Sequence, residues 1–140
     1  MDDPYAFRLD PQLEKDTVNI ADWHLCEVRL MNDSRYPWLI LIPKVPDIAE
    51  IHELAEEQQH LLLGESVRLS KALDQLFAPH KLNVAALGNM VRQLHVHHIV
   101  RFEGDASFPQ PVWGVGDAVP YDADALRETV KGLQIALDLL

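Results

Sequence analysis

The chain has 140 residues, 48% hydrophobic and 24% charged, with a formal net charge of −10. That size and balance fit one globular domain with a real core, and the acidic surplus argues against a DNA or RNA surface, which needs clustered Lys and Arg. The single Cys26 excludes an intramolecular disulfide and fits a reducing compartment. The acidic start Met1-Asp2-Asp3-Pro4 lacks the pattern of a signal peptide, and the longest apolar run, 38–42, is too short to span a bilayer. The expectation is a soluble cytoplasmic protein with no membrane and no nucleic acid polymer as partner. A small phosphorylated ligand stays compatible, because backbone N–H groups and histidines can hold it locally.

Residues 2–15 carry Pro4 and Pro11 among charges, with Tyr5, Phe7, Leu9 and Leu13 between them. They read as a partly ordered arm ending in a short helical turn. Residues 23–31 alternate as a strand, with Leu25, Glu27 and Arg29 opposite His24, Cys26, Val28 and Leu30. Cys26 there is a small hydrophobe. Asn32-Asp33-Ser34-Arg35 is a turn cluster, so this strand and Trp38-Leu39-Ile40-Leu41-Ile42 form a hairpin. The second strand is apolar on both faces, as a central strand covered on both sides would be. Pro43 and Pro46 end it.

Asp47 with Glu50 has the spacing of a capping box and leads through a turn at 48–54 into a helix over 55–77. Leu62, Ser66, Leu69, Leu73 and Leu76 make its stripe. Gly64 costs about 1 kcal/mol relative to Ala, and Pro79 ends the helix. His52 and His60 read as surface histidines. Residues 82–87 form a short strand, Gly88-Asn89 a turn or bulge, and a longer strand follows from Met90, a second hairpin signature. Residues 102–121 hold three Pro and three Gly; a loop of that length is functional or draped over a partner. Asp122 is the N-cap of a closing helix over about 122–139, striped by Leu126, Val130, Leu133 and Leu137. The order β-β-α-β-β-loop-α predicts an α+β fold with an antiparallel sheet, one domain over 1–140.

The chemistry concentrates in Gln93-Leu94-His95-Val96-His97-His98-Ile99-Val100-Arg101. Read as a strand, it places Gln93, His95, His97 and Ile99 on one face and Leu94, Val96, His98 and Val100 on the other. His98 is then a packed or interface histidine. His95 and His97 stand one strand repeat apart, roughly 6.5–7 Å. That spacing suits a nucleophile beside a phosphate-binding acid, a pair of metal ligands, or two structural histidines. The metal reading needs a third ligand, and no HExxH, CxxC or nearby His-x3-His pattern supplies one.

The stretch from Leu87 to Arg101 resembles the histidine triad (HIT) family of nucleotide hydrolases and transferases. That family's signature is His-φ-His-φ-His-φ-φ on a strand, preceded by a Gly-Gln-Ser/Thr-Val segment. The resemblance puts His95 at the middle histidine, the nucleophile toward the α-phosphate, and His97 at the third, which contacts phosphate oxygens and the leaving group. Gly88-Asn89-Met90-Val91 falls on the glycine segment, with Asn89 at the amide position. Trp38-Leu39-Ile40-Leu41-Ile42-Pro43-Lys44 is similar to the strand ending in Ile-Pro-Lys, and Asn32 lies in the turn where the family holds the nucleoside. Trp113-Gly114 resembles a Trp-Gly or Trp-Pro segment that in related dimers approaches the partner's site, against Trp113 filling a gap in its own loop. The resemblance covers about 20–114. It implies an antiparallel sheet of about five strands with a long central helix and a C-terminal helix, a homodimer, a nucleotide or nucleotide-conjugate substrate, and no obligatory metal or other cofactor.

Four departures bear on function. Gln93 replaces the first histidine; an amide can still orient the strand by hydrogen bonding but cannot titrate. Trp38 replaces a fourth histidine, removing a polar contact and offering a stacking surface. Met90 replaces a hydroxyl residue, and the acidic Asp-Gly loop before the glycine is absent. Asn83 and Arg101 are placed to reach a substrate phosphate, against a turn hydrogen bond and a surface ion pair. The leading expectation is a nucleotidyl-histidine mechanism at the α-phosphorus, with a backbone carbonyl fixing the nucleophile's tautomer. The alternatives are a nucleotide-binding or regulatory protein on the same fold and a small metal-dependent hydrolase.

Overall fold

The structure, a computed structural model, describes residues 6–138. Pro4 and Tyr5 of the expected arm, and residue 139 of the closing helix, lie outside the described residues. The elements run α1 (Pro11–Asp16), β1 (Thr17–Asp22), β2 (Cys26–Met31), β3 (Trp38–Pro43), a 3-10 turn (Ile51–Glu53), α2 (Glu56–Phe77), β4 (Lys81–Ala85), β5 (Val96–Arg101) and α3 (Ala123–Asp138). One antiparallel sheet has the order β1-β2-β3-β5-β4. This is the expected α+β plan with five strands, a long helix and a closing helix.

The apolar run of β3 puts it at the centre, and every residue of it is buried. Leu39 and Leu41 face the helices, packing with Val96, Val100, Leu69, Leu73, Leu133 and Leu137. Trp38, Ile40 and Ile42 face the other way, with Ile99, Tyr36, Leu13 and Val112. Each fully buried side chain of this size contributes about 1.5–3 kcal/mol of hydrophobic stabilisation. The sheet is therefore covered on both sides, by α2 and α3 on one and by α1 and the loop after β5 on the other. Asp122 caps α3 as expected, accepting from the amide of Ala125 at 2.8 Å.

Several boundaries differ from the sequence reading, each for a local reason. β1 was hidden because a bulge between Asn19 and Ala21 shifts its register, so Thr17 and Ile20 are buried three residues apart rather than two. Residues 23–25 are a turn, not strand: the Glu65 carboxylate on α2 accepts from the amides of Leu25 and Cys26 at 2.9 and 2.8 Å. The cap before α2 is not the Asp47–Glu50 pair. Glu53 accepts from the amides of Ala49 and Glu50, while Gln58 accepts from that of Ala55. Leu76, expected in the α2 stripe, is exposed. β4 and β5 pair antiparallel as expected, but residues 86–95 intervene as a long loop. β5 begins only at Val96, so Gln93 and His95 lie just ahead of the strand.

Candidate functional site

The end of the 86–95 loop and the start of β5 gather the histidines. His95, His97 and His98 are all buried, and their hydrogen bonds determine their tautomers, because carbonyls only accept and an indole only donates. Nδ1 of His95 donates to the carbonyl of Gln93 at 2.7 Å, which leaves the lone pair on Nε2. That Nε2 finds no partner among the described residues, yet it is not sealed off: the one fully buried side-chain polar atom left without a partner there is Arg68 Nε. An imidazole so held is oriented, with Nε2 the nitrogen left to serve as a nucleophile or a base.

His97 lies beside it, ring centroids 4.8 Å apart and edge to face, as the alternation of the chain requires. Its Nδ1 accepts from the Trp38 indole at 3.0 Å, and its Nε2 donates to the carbonyl of Leu87 at 3.0 Å. Both nitrogens are thus engaged within the protein. Burial pushes its pKa down to about 4, against the opposing pull of the Leu87 carbonyl. His98 points to the helix face, as expected of a packed histidine. Its Nδ1 donates to the carbonyl of Val96 at 3.1 Å, and its Nε2 accepts from Ser66 Oγ on α2 at 2.7 Å. Burial lowers its pKa to about 4 as well.

Trp38 corrects one expectation. It does not remove a polar contact; it supplies one, and its ring is buried, with Tyr36 and Trp113 against it edge to face. Trp113 sits 5.1 Å from the His97 ring of its own chain. Gly88 comes close to the histidine: a Cβ there would lie 3.4 Å from His95 Cε1 and 2.7 Å from the Val91 carbonyl oxygen. His95, Gly88, Asn89 and Gln93 line a cavity of about 120 Å³. Met90 is almost wholly exposed. A separate cavity of about 430 Å³ is lined by residues including Asn32, Arg35, Trp38 and Trp113. Asn32 faces it while its Oδ1 accepts from the amide of Tyr121 at 2.9 Å.

The Gln93 side chain turns to the N-terminal arm and not to the histidines. It receives the amide of Asp10 at 2.9 Å and donates to the carbonyl of Arg8 at 2.8 Å. Arg101 and Asn83 stand apart from the site. Arg101 is 1% exposed. It ion-pairs with Asp105 at 2.9 Å, donates to Asn83 Oδ1 at 2.9 Å and to the carbonyl of Gln110 at 2.7 Å, so its fork is spent on the chain itself. The surface ion pair weighed for it is a buried one. No sequence signal marked the carbonyls of Leu87 and Gln93, since any residue supplies a carbonyl. Among the described residues no three His, Cys, Asp or Glu side chains come together as a metal site, and no helix is long and apolar enough to cross a membrane.

Comparison with known proteins adds to this geometry. The HIT domain profile matches residues 12–104. A histidine triad protein from Marinobacter aquaeolei is 49% identical, with a TM-score of 0.93 over 96% of this chain and 98% of that one. A histidine triad protein from Bradyrhizobium japonicum is 44% identical, with a TM-score of 0.91 over 94% and 98%. A hypothetical histidine triad nucleotide-binding protein from Sulfolobus tokodaii, 15% identical, shares the fold with a TM-score of 0.69 over 89% of this chain and 85% of that one. No curated protein matches the sequence.

Proposed function

The chain belongs to the histidine triad (HIT) family, and on that premise we propose a nucleotide-binding phosphohydrolase or nucleotidyl transferase acting through His95. The lone pair of Nε2 attacks the α-phosphorus of a nucleotide ester, anhydride or phosphoramidate. A P–N bond forms, and the bond to the leaving oxygen or nitrogen breaks with its electron pair. Water then attacks the same phosphorus and releases a proton to solvent, the P–N bond breaks with its pair returning to Nε2, and the departed group takes up a proton from solvent. The observation that carries this reading is the 2.7 Å hydrogen bond from Nδ1 of His95 to the Gln93 carbonyl. It orients the ring and stabilises the positive charge the imidazole acquires on attack.

In this proposal Asn89, beside His95 in the small cavity, faces the phosphate, and the Asn32–Trp38–Trp113 cavity receives the nucleoside. His97 takes a positioning role, because it offers a phosphate no N–H without releasing Leu87. That same engagement favours a second reading, nucleotide binding with little turnover. The homodimer is part of the proposal too. Edge strand β4 exposes Val84, and α2 exposes Leu63 and Val67 one turn apart, apolar surface that a second copy would cover. Light scattering at micromolar concentration should give twice the monomer mass.

Trapping tests the chemistry. The protein is mixed with the p-nitrophenyl ester of AMP, quenched in acid-free denaturant and digested. Mass spectrometry should find AMP on His95 and none in His95→Ala. The absence of an adduct, with His95→Ala as active as wild type, removes His95 from the mechanism. Tight nucleotide binding without turnover selects the second reading.

A further inference from the structure

A third cavity, of about 520 Å³, shares Ala49, Arg92 and Gln93 with the one at His95. Its remaining walls are Ala6, Arg8 and residues 46–48. Arg8 and Arg92 both line it, and neither has a carboxylate within ion-pair distance among the described residues. Arg29, Arg35, Arg101 and Arg127 are all paired, and Arg68, which also has no carboxylate partner among the described residues, lies over the Trp23 ring at 4.2 Å. Asp47 is the carboxylate on the cavity wall. Glu53, which feels the charge of Arg92, is already held by the amides of Ala49 and Glu50. Arg8 and Arg92, both exposed, thus line one cavity without an ion-pair partner among the described residues, and an anion lying between two guanidinium groups is attracted to both.

The cavity is assembled around a single short segment. The Gln93 side chain pins the arm at the Arg8 carbonyl and the Asp10 amide. The amide of Leu94 donates to the carbonyl of Ile48 at 2.9 Å and fixes the 46–49 wall. The backbone carbonyl of Gln93 holds His95. Residue 93 therefore ties an arginine-bearing arm to the histidine proposed as nucleophile. The aromatic cavity of Trp38 and Trp113 shares no residue with this one, so base and anion have separate places.

We propose that Arg8 and Arg92 form a subsite for a phosphate carried on the substrate's departing group, beyond the phosphorus that His95 attacks. Guanidinium forks bind phosphate oxygens in pairs, and the shared wall places this subsite next to His95. Gln93 is its positioning residue, through Arg8. The assignment of the anion to a departing group rests on the catalytic reading of His95; the existence of the anion site does not.

The test uses the full chain in EDTA and two readouts. Calorimetry measures pyrophosphate binding to wild type, Arg8→Ala, Arg92→Ala, Gln93→Leu and, as a charge-matched control, Lys131→Ala, with circular dichroism confirming each fold. Pyrophosphate should bind wild type and the control alike and lose tenfold or more in either arginine variant and in Gln93→Leu. The Gln93→Leu/Arg8→Ala double variant should be no weaker than Arg8→Ala alone. Kinetics compares ATP, whose departing group is pyrophosphate, with the p-nitrophenyl ester of AMP. The ratio of their kcat/KM values should fall at least tenfold in Arg8→Ala and Arg92→Ala. No pyrophosphate binding, equal binding in the arginine variants, or an equal loss in Lys131→Ala overturns the subsite. Arginine-dependent binding with neither substrate turned over supports the anion site and overturns the catalytic reading it was attached to. An unchanged ratio, with both substrates turned over, overturns the departing-group assignment.

Discussion

The indole N–H of Trp38 donates to Nδ1 of His97 across 3.0 Å. The acceptor's other nitrogen passes a hydrogen bond to the Leu87 carbonyl, so β3, β5 and the 86–95 loop are joined through one imidazole. An indole cannot accept, so this chain of bonds has one direction and His97 one tautomer.

Replacing Trp38 by Phe keeps an aromatic ring but strands a buried acceptor. The expected loss is about 1–3 kcal/mol for the unpaired nitrogen, with a further cost for lost volume. Trp38→His restores a ring donor, and part of the stability should return with it despite the smaller ring. Urea denaturation measures both, and nitrogen NMR of His97 reads the tautomer directly. If Trp38→His is as unstable as Trp38→Phe, the hydrogen bond is not what position 38 contributes.

Gly88 is required by proximity rather than by backbone conformation. Its missing Cβ would meet the Val91 carbonyl oxygen at 2.7 Å and His95 Cε1 at 3.4 Å. Gly88→Ala must displace the loop that carries Leu87 and the ring beside it. Overpacking of this kind costs about 1–3 kcal/mol, and the His95 adduct should form at least tenfold more slowly. A variant that labels at the wild-type rate would show that His95 does not depend on this contact.

How much of this was legible in the sequence differs from residue to residue. The apolar run of β3 and the leucine stripe of α2 could be read because burial on both faces, or on one helical face, leaves a periodic trace. β1 could not, since its bulge breaks the period of two. His95 and His97 were visible as a pair, and alternation correctly sent His98 to the helix face, where Ser66 meets it. Gln93 was assigned to the same face as His95, but its backbone carbonyl is what touches the histidine; the side chain reaches the arm. Arg101 misled because a terminal strand arginine looks exposed. Nothing local announces that Asp105, Asn83 and Gln110 will close around it.

Two buried neutral histidines make stability depend on pH in a defined window. His97 and His98 each have a folded pKa of about 4, lowered by burial, against about 6.5 when unfolded. Between those values the unfolded chain binds more protons, so stability is full above about pH 6.5 and is lost as pH falls toward 4. Each shift corresponds to roughly 3 kcal/mol. Thermal melts from pH 8 to pH 4 should show Tm flat above neutrality and falling below it. His98→Gln should flatten the slope by about half. A Tm that rises on acidification through this window would contradict the neutral assignment of both rings.

The Arg101–Asp105 pair separates a structural arginine from a substrate ligand. Burial alone would raise the Asp105 pKa, but the Arg101 guanidinium and the amides of Ser107, Phe108 and Phe102 hold it well below the usual carboxylate range. Arg101 lies over the Tyr36 and Phe108 rings as well, at 5.5 and 5.4 Å. Breaking a buried pair leaves an uncompensated charge at a cost of about 3–5 kcal/mol, so Asp105→Asn should lower stability by that amount. Arg101→Lys keeps the charge and loses the fork that reaches Asn83, Asp105 and Gln110 together. It too should destabilise by several kcal/mol, while the folded protein binds nucleotide with unchanged Kd. The opposite pattern, wild-type stability with a tenfold weaker Kd, would return Arg101 to the substrate and require its fork to open in solution.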